Sequence, residues 1–257
     1  MVVRKPLPIF WAVIKALFLR ELNTKINVGR LGLFWTFFEP FAQVSVFILI
    51  HSLISQGTAY DMTLFMASGF IAFNMFRHIL TASSGAFTAN KGLFAYKQVK
   101  PIDTIISRVL VEIFMTSIII LIFVFIGFVL QYEMRPENLL MVFLGYVWLV
   151  VFSFSVGLIV AVGSVFFANL GKIIGLLSFL LLFASAVFYP LSSIPVEAQK
   201  ILIYNPVVHF MEMIHGYYIY ELDIRFVNYM YMLEWTIIPL AIGLWLYIRL
   251  EKRIISA

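Results

Sequence analysis

The chain carries six long apolar stretches, and no other feature constrains its fold as strongly. A helix needs about 20 mostly apolar residues to cross the hydrocarbon core of a bilayer. The stretches lie at 34–55, 62–80, 109–130, 139–167, 173–190 and 234–250. Because lipid offers no hydrogen-bond partners to the backbone, such spans are helical. The sequence therefore predicts an all-α membrane protein with six transmembrane helices, forming one transmembrane domain over residues 1–257.

The composition also indicates that lipid is the main solvent. Hydrophobic residues make up 63% of the chain and charged residues only 12%, whereas soluble proteins have about 45–50% and 25%. This excludes a soluble enzyme and a disordered protein. The chain contains no cysteine, which rules out disulfides, a thiolate nucleophile and a cysteine-ligated metal site.

The distribution of positive charge predicts the orientation of the spans. With both termini in the cytoplasm, the outer side receives only Arg135, Lys200 and Arg225, out of 18 Lys and Arg residues. Cytoplasmic segments of membrane proteins carry such an excess of basic residues. We therefore expect both termini to be cytoplasmic. The net charge of +5 reflects this topology, and we expect contact with membrane lipids rather than nucleic acid.

The N-terminal segment 8–22 is predicted to form an amphipathic helix in the membrane interface. Phe10, Ile14 and Leu17 recur at helical spacing, and Lys15 lies off that face. The segment is too charged to span a bilayer and suited to lie in its interface. Lys15 interrupts the apolar run and no cleavage pattern follows, so a removed signal peptide is not expected. An ordinary packed helix is the alternative.

The cytoplasmic segment 81–107 is longer than most connections between helices. It is polar but includes Leu93, Phe94 and Tyr96, which gain nothing in a loop that faces only water. We interpret it as a docking element for a soluble partner. A plain solvated loop is the alternative.

The outer segment 190–233 alternates apolar and polar residues without completing a span. Pro190, Pro195 and Pro206 divide it. We interpret it as two re-entrant or interfacial half-helices, which membranes tolerate where they are buried in protein. Such a cap over the outer face suggests a gate.

One carboxylate is predicted to need a partner. Glu39 lies just inside the first apolar stretch, where an unpaired charge is unfavourable. Arg20 or Arg30 is the expected partner.

Motifs for nucleotide and metal chemistry are incomplete. Gly171-Lys172 is followed by Ile173, and Phe166 stands where a phosphate-binding loop needs glycine. We therefore expect no ATPase site and no bound cofactor in this chain. The step from Glu212 to His215 matches one half of a carboxylate-bridged metal site, but a second copy is missing. We expect no metal.

Small residues recur at helical spacing in the fourth stretch. Ser153, Gly157 and Ala161 favour close helix packing. The spacing leaves open whether this contact lies within one chain or between two.

Three blocks of residues follow one another along the chain. The first block comprises Arg20-Glu21-Leu22, Arg30-Leu31-Gly32, Trp35 and Glu39-Pro40. The second runs from Tyr96 to Asp103 as YKQVKPID. The third comprises FYPLSSIP from Phe188, YNPVVH from Tyr204, and Glu212. In this order the blocks resemble the polysaccharide-exporting permeases of type-2 ABC transporters, and most closely the capsular branch.

The resemblance implies a permease that exports lipid-linked capsular polysaccharide across the bacterial inner membrane. It implies a homodimer bound to two copies of a separate ATP-binding subunit, which holds ATP and Mg. It also implies a periplasmic co-polymerase-like partner and an outer-membrane channel.

Three groups of site residues follow from this resemblance and from the residue chemistry. Aromatic rings can stack on sugar faces, and basic groups attract an acidic polymer or lipid phosphate. Basic residues at this depth also serve topology and lipid contact. The expected substrate path and inner mouth comprise Arg20, Arg30, Trp35, Glu39, Phe73, Phe76 and Arg77. The expected coupling residues are Lys91, Tyr96, Lys97, Lys100 and Pro101. The expected outer gate comprises Tyr189, Pro190, Asn205, Pro206, His209 and Glu212.

Other functions remain open at this point. The chain could be a type-2 permease for O-antigen, teichoic acid or small amphiphiles. A polytopic membrane transferase would need clustered acids or histidines, and Asp103 with Glu112 is sparse. A passive channel is disfavoured by the docking character of 81–107.

Overall fold

The computed structural model describes residues 6–26, 34, 38–46, 49 and 60–256, and this part of the chain is helical without any β-strand. Its α-helices are α1 (Pro6–Ile26), α2 (Met62–Ser84), α3 (Pro101–Val129), α4 (Leu139–Phe166), α5 (Leu170–Phe183), α6 (Val196–Leu202), α7 (Pro206–Tyr218) and α8 (Tyr229–Ser256). Residues 38–46 are also helical. Two short 3-10 helices, Thr88–Ala95 and Leu191–Ser193, interrupt the connections.

Four of these helices are long and apolar enough to cross a membrane, namely α2, α3, α4 and α8. Helix α5 is apolar but has only 14 residues. The predicted first span at 34–55 lies mostly outside the described residues. The structure therefore confirms a helical membrane protein with several spans.

Local sequence signals explain where the helices begin. The side chains of Asp61 and Asn138 accept hydrogen bonds from backbone N–H groups in the first turns of α2 and α4, which otherwise lack partners. Helices α3 and α7 begin with Pro101 and Pro206. Proline suits this position because its fixed φ is helical and the first N–H has no helical partner anyway.

Helix α2 forms the centre of the bundle. Most of its residues are buried, including Phe65, Phe70, Phe73 and Phe76. Helices α3 and α4 flank it, and α4 also packs against α8. Outward faces of α3, α4 and α8 expose large apolar side chains, which is typical of helices whose solvent is lipid.

The small residues of α4 form a contact within the chain. A Cβ atom at Gly157 would lie 2.7 Å from the Ser83 hydroxyl oxygen of α2, so only glycine allows this approach. Ser153 and Ala161 are buried on the same helix. The spacing left open whether this contact lies within one chain or between two. For these residues the close packing lies within the chain.

Several element bounds differ from those predicted. Helix α2 continues to Ser84 and α3 starts at Pro101, so the connection predicted at 81–107 shortens to 85–100. The interface helix, predicted at 8–22, runs over Pro6–Ile26. The final helix extends beyond 234–250 to Tyr229–Ser256. Hydropathy marks where the apolar run ends, whereas a helix continues through polar residues until a cap or proline stops it.

The fifth apolar stretch, predicted as a helix over 173–190, is helical only over Leu170–Phe183. Beyond it the backbone turns, and Ala186 adopts a left-handed φ of 56°. Such a conformation is unfavourable for alanine, and it is stabilised here by complete burial of the side chain. The apolar run continues past Phe183 because this turn is buried, not because the helix goes on.

Candidate functional site

The amphipathic helix α1 packs against α3 through one face. Ile14 and Leu17 are buried, while Lys15 is exposed. Phe18 contacts Phe114 of α3 edge to face, with ring centroids 5.9 Å apart. Two of the three residues of the predicted apolar face, Ile14 and Leu17, therefore pack inside the chain, whereas Phe10 is exposed.

Polar side chains near the end of α1 join it to the short 3-10 helix Thr88–Ala95. Arg20 donates to the side-chain oxygen of Asn90. The Asn90 amide in turn donates to Glu21 Oε1 at 3.3 Å and to the Ala86 carbonyl at 2.8 Å. Arg20 also pairs with Glu21 at 2.8 Å. Arg20, predicted at the inner mouth, therefore belongs to a contact between helices.

A second basic side chain connects this group to α2 and α3. Arg108 Nε lies 3.2 Å from Glu21 Oε2. This contact is an ion pair without hydrogen-bond alignment. Arg108 Nη1 donates to the Ala82 carbonyl at 2.6 Å, satisfying an oxygen in the last turn of α2.

A third ionic contact lies one turn further along α1. Lys25 pairs with Glu112 of α3 at 2.6 Å. The Nδ1 atom of His78 in α2 lies 3.8 Å from the same carboxylate. A cavity of about 170 Å³ lies between these helices and is lined by Glu21, Thr24, Lys25, Ala82, Arg108, Val111 and Glu112. Its opposite charges are already paired with one another.

Within the described residues, Glu39 pairs with an arginine that was not one of the two expected partners. It lies 2.9 Å from Arg77 of α2, and Gln43 donates to it at 3.3 Å. Asn74 of α2 donates to Gln43 at 2.8 Å. The expected pairing with Arg20 is therefore wrong, because Arg20 is held by Glu21 and Asn90. Arg30 and Trp35 lie outside the described residues.

Phe73 and Phe76 pack inside the chain instead of lining a path. Phe73 is fully buried and Phe76 is 2% exposed. Phe76 stacks on Phe152 of α4 with centroids 5.7 Å apart. Since a ring enclosed by its own bundle offers no face to a sugar, the expectation that these two line the path was wrong. Their helical spacing could not distinguish a core face from a path.

The predicted coupling residues lie in the 3-10 helix, in the turn that follows it and at the start of α3. Tyr96 is 66% exposed, and Lys91, Lys97 and Lys100 are also exposed. Phe94 is buried and anchors the element from inside. Pro101 is buried at the start of α3. The mixture of apolar and basic residues thus divides into a buried, anchored face and an exposed face.

The predicted outer gate is a tightly bonded group. Glu212 is 4% exposed, and its Oε1 accepts the Leu191 N–H at 2.8 Å. Burial raises the pKa of Glu212 to about 7. Asn205 donates to the Ala184 carbonyl at 2.9 Å, and its side-chain oxygen caps α7 by accepting from Val207. Helix α7 is therefore fastened to the turn that follows α5.

The other gate residues add backbone contacts. The Tyr189 hydroxyl donates to the Phe183 carbonyl at 2.7 Å, and Pro190 is buried. The His209 ring nitrogens lie 2.9 Å from the carbonyl oxygens of Ile203 and Phe226. His209 therefore bonds to the segments flanking α7, not to Glu212 as its spacing allowed. Pro206 provides the first residue of α7.

His215 was not selected as a site residue, although it is completely enclosed. Its ring stacks on Phe65 of α2 at 3.9 Å. Burial lowers its pKa to about 3, so the ring is neutral at physiological pH. Within the described residues no group of acids, histidines or cysteines could hold a metal. The sequence signal for His215 was its spacing of three residues from Glu212.

Together these elements define the membrane subunit of a transporter. Apolar helices cross the membrane, one end presents an ion-paired platform with an exposed basic and aromatic face, and the other end is closed by a bonded cap. Residues 12–219 match the family described as ABC-2 type transporter, and the chain belongs to that family.

Curated relatives cover most of the chain. It is 33% identical to the polysialic acid transport protein KpsM of Escherichia coli over 246 residues, or 95% of each chain. It is 30% identical to the capsule polysaccharide export inner-membrane protein BexB of Haemophilus influenzae, over 84% of this chain and 82% of BexB. The capsule polysaccharide export inner-membrane protein CtrC of Neisseria meningitidis is 26% identical, over 93% and 91%.

Proposed function

We propose that this chain is the permease subunit of an ABC transporter that exports capsular polysaccharide across the inner membrane. The observation that carries the proposal is the similarity to KpsM over 95% of both chains. BexB and CtrC are also named for capsule polysaccharide export. The membrane helices and the two ordered ends support a transport role.

The energy source in this proposal is a separate ATP-binding subunit. The sequence has no phosphate-binding loop. The exposed face around Tyr96, with Lys91, Lys97 and Lys100, provides the docking surface for that subunit. Two ATP-binding subunits and two copies of this chain form the transporter, with ATP and Mg held by the ATP-binding subunits.

The proposed topology has six spans with both termini in the cytoplasm. Four spans are α2, α3, α4 and α8. The stretch 34–55 supplies another, and α5 with its buried turn completes the set. The basic residues near α1, the 3-10 helix and the end of α8 support this orientation. Helices α6 and α7 form re-entrant or interfacial elements at the outer face.

The proposed substrate is a lipid-linked polysaccharide that enters from the cytoplasmic side. Arg77, Glu39 and Arg20 lie near the inner end of the bundle, where basic groups can attract anionic head groups. The outer segment with Asn205, His209 and Glu212 closes or opens the exit. A periplasmic co-polymerase-like protein receives the polymer there.

Complementation with a defined set of transporters tests the substrate. The permease gene is deleted in separate strains that export capsule, O-antigen or teichoic acid, and this chain is supplied with its own ATP-binding subunit. We expect surface polymer to return in the capsule strain. Restoration in the O-antigen or teichoic-acid strain alone would assign the chain to those polymers. Polymer synthesis without any ATP-binding subunit would favour a membrane transferase.

A further inference from the structure

One carboxylate at the inner end of the bundle links elements that are distant in sequence. Glu21 lies near the end of α1, Asn90 in the 3-10 helix Thr88–Ala95, and Arg108 in α3. We call these three residues, with Arg20 and the Ala82 carbonyl, the inner clamp. None of its partners is adjacent to Glu21 in the chain except Arg20.

The two oxygens of Glu21 serve different elements. Oε1 contacts the Asn90 amide at 3.3 Å and Arg20 at 2.8 Å. Oε2 lies 3.2 Å from Arg108 Nε. The side chains of Glu21 and Arg108 are 14% and 15% exposed, so water screens their attraction less than it would on the surface. Loss of one partner therefore leaves the other charge poorly compensated.

Asn90 makes the 3-10 helix dependent on this clamp. It is 1% exposed, its oxygen accepts from Arg20, and its amide is shared between Glu21 and Ala86. A 3-10 helix has poorer internal hydrogen-bond geometry than an α-helix. Its position is consequently set by contacts to its surroundings, of which Asn90 and Phe94 provide the buried ones.

Arg108 extends the same connection to α2. Its Nη1 donates to the Ala82 carbonyl at 2.6 Å, two residues before α2 ends at Ser84. Lys25 and Glu112 form a separate pair at 2.6 Å between α1 and α3. Glu21 thus contacts both the 3-10 helix and α3.

We propose that Glu21 is a positioning residue that makes α1, the 3-10 helix and the inner end of α3 one mechanical unit. This inference rests on the proposed function. Movement that an ATP-binding partner imposes on the exposed face of the 3-10 helix then passes through Glu21 and Arg108 to the membrane helix α3. Without the clamp, that movement is absorbed by the connection 85–100. Glu21 acts through these neighbours and does not touch the substrate.

Spin-label distances in the assembled transporter test the mechanical claim. The chain has no cysteine, so labels attach only at introduced sites. Lys15 on α1 and Ala89 on the 3-10 helix are exposed, and K15C with A89C reports the separation of these elements. We expect a narrow distance distribution that keeps its centre when ATP binds. Glu21→Gln and Asn90→Ala should each broaden it at least about twofold, because both loosen the same buried junction.

A matched control is the loss of an exposed carboxylate elsewhere. Glu133 lies in the connection between α3 and α4. Glu133→Gln should leave the distance distribution unchanged. Asn90→Ala removes no charge, so it distinguishes the loss of this contact from a change in net charge. Equal widths in the parent, Glu21→Gln and Asn90→Ala proteins would overturn the proposal.

The ratio of polymer exported to ATP hydrolysed tests whether Glu21 passes the partner's movement to the membrane helices. We expect Glu21→Gln to lower this ratio about fivefold, with partner binding and ATP hydrolysis retained, as loss of a contact of about 1 kcal/mol would produce. Arg108→Gln should lower the ratio less in the Glu21→Gln protein than in the parent, because the two residues share one interaction. An unchanged ratio overturns the inference. A parent complex that hydrolyses ATP but exports no polysaccharide overturns the proposed function instead, while the distances still test the clamp.

Discussion

At the scale of single residues, the structure separates side chains that the sequence presents as equivalent. Phe73 and Phe76 share the aromatic character of Tyr96, but the first two fill the core and the third is exposed. Helical spacing locates a face without revealing what covers it. Glu39 was correctly expected to need a partner, yet the identity of Arg77 depended on the packing of two helices.

Glu212 carries a prediction about pH. Burial raises the pKa of its carboxyl to about 7 in the folded protein, above the unfolded value of about 4.3. The folded state therefore loses stability as pH rises between these two values, since the unfolded chain ionises first. Glu212→Gln keeps an oxygen that can accept the Leu191 N–H but cannot ionise. We expect the variant to gain on the order of 2 kcal/mol over the parent between pH 5 and pH 8.

Thermal unfolding of the purified permease at these two pH values measures this effect. The Tm difference between Glu212→Gln and the parent should grow with pH. The exposed Glu133→Gln provides the control, since its loss should not change the pH dependence. A constant difference between Glu212→Gln and the parent would show that Glu212 is already ionised at pH 5 in the folded protein.

At the scale of elements, packing of α7 against α2 depends on one glycine. A Cβ atom at Gly69 would lie 2.7 Å from the buried His215 Nε2 and 3.1 Å from the Val187 carbonyl oxygen. We expect Gly69→Ala to force α7 away from α2 and to destabilise the protein by about 1–3 kcal/mol. A lower Tm by thermal unfolding is the measurement.

Gly175 of α5 is the matched control, because a Cβ atom there would meet nothing within 4 Å. Gly175→Ala should be neutral or slightly stabilising, as alanine favours a helix. Equal Tm values for Gly69→Ala and Gly175→Ala would contradict the close packing of α7 on α2.

The 3-10 helix and its following turn carry a second prediction at this scale. Tyr96 is exposed and makes a hydrophobic contribution only if a partner covers it. We expect Tyr96→Ala to leave Tm unchanged and to weaken binding of the ATP-binding subunit about tenfold, the scale of an interface tyrosine. Co-purification at limiting partner concentration measures this. Phe94→Ala, which removes the buried anchor, should instead lower Tm.

Element positions were predictable where the signal was local. The apolar runs located α2, α3, α4 and α8, and proline marked the starts of α3 and α7. The turn after Phe183 was not predictable from hydropathy, because Ala186 and Val187 are buried in a non-helical segment. The inner clamp was also missed, since Glu21, Asn90 and Arg108 are brought together only by the packing of three elements.

At the scale of the whole molecule, the two ends have different chemistry. One end combines ion pairs between helices with an exposed basic face, and the other end is held by hydrogen bonds of Asn205 and of the buried Glu212 and His209. The membrane helices between them expose apolar surface. This arrangement suits a subunit that receives movement at one end and opens at the other.

Orientation is testable on the intact chain because it lacks cysteine. We expect a membrane-impermeant maleimide to label K200C, on α6, in cells with a permeable outer membrane, and to label A89C only after the inner membrane is opened. The reverse pattern would place the 3-10 helix outside. That result would contradict docking of a cytoplasmic ATP-binding subunit.

The central claim is that this chain moves capsular polysaccharide with energy from another subunit. The most direct measurement is ATP-dependent delivery of lipid-linked capsular polysaccharide into the lumen of proteoliposomes that contain this chain and its ATP-binding subunit. We expect delivery that requires both subunits and stops when the ATP-binding subunit cannot hydrolyse ATP. Delivery by this chain alone, or none by an assembled complex that hydrolyses ATP, would contradict it.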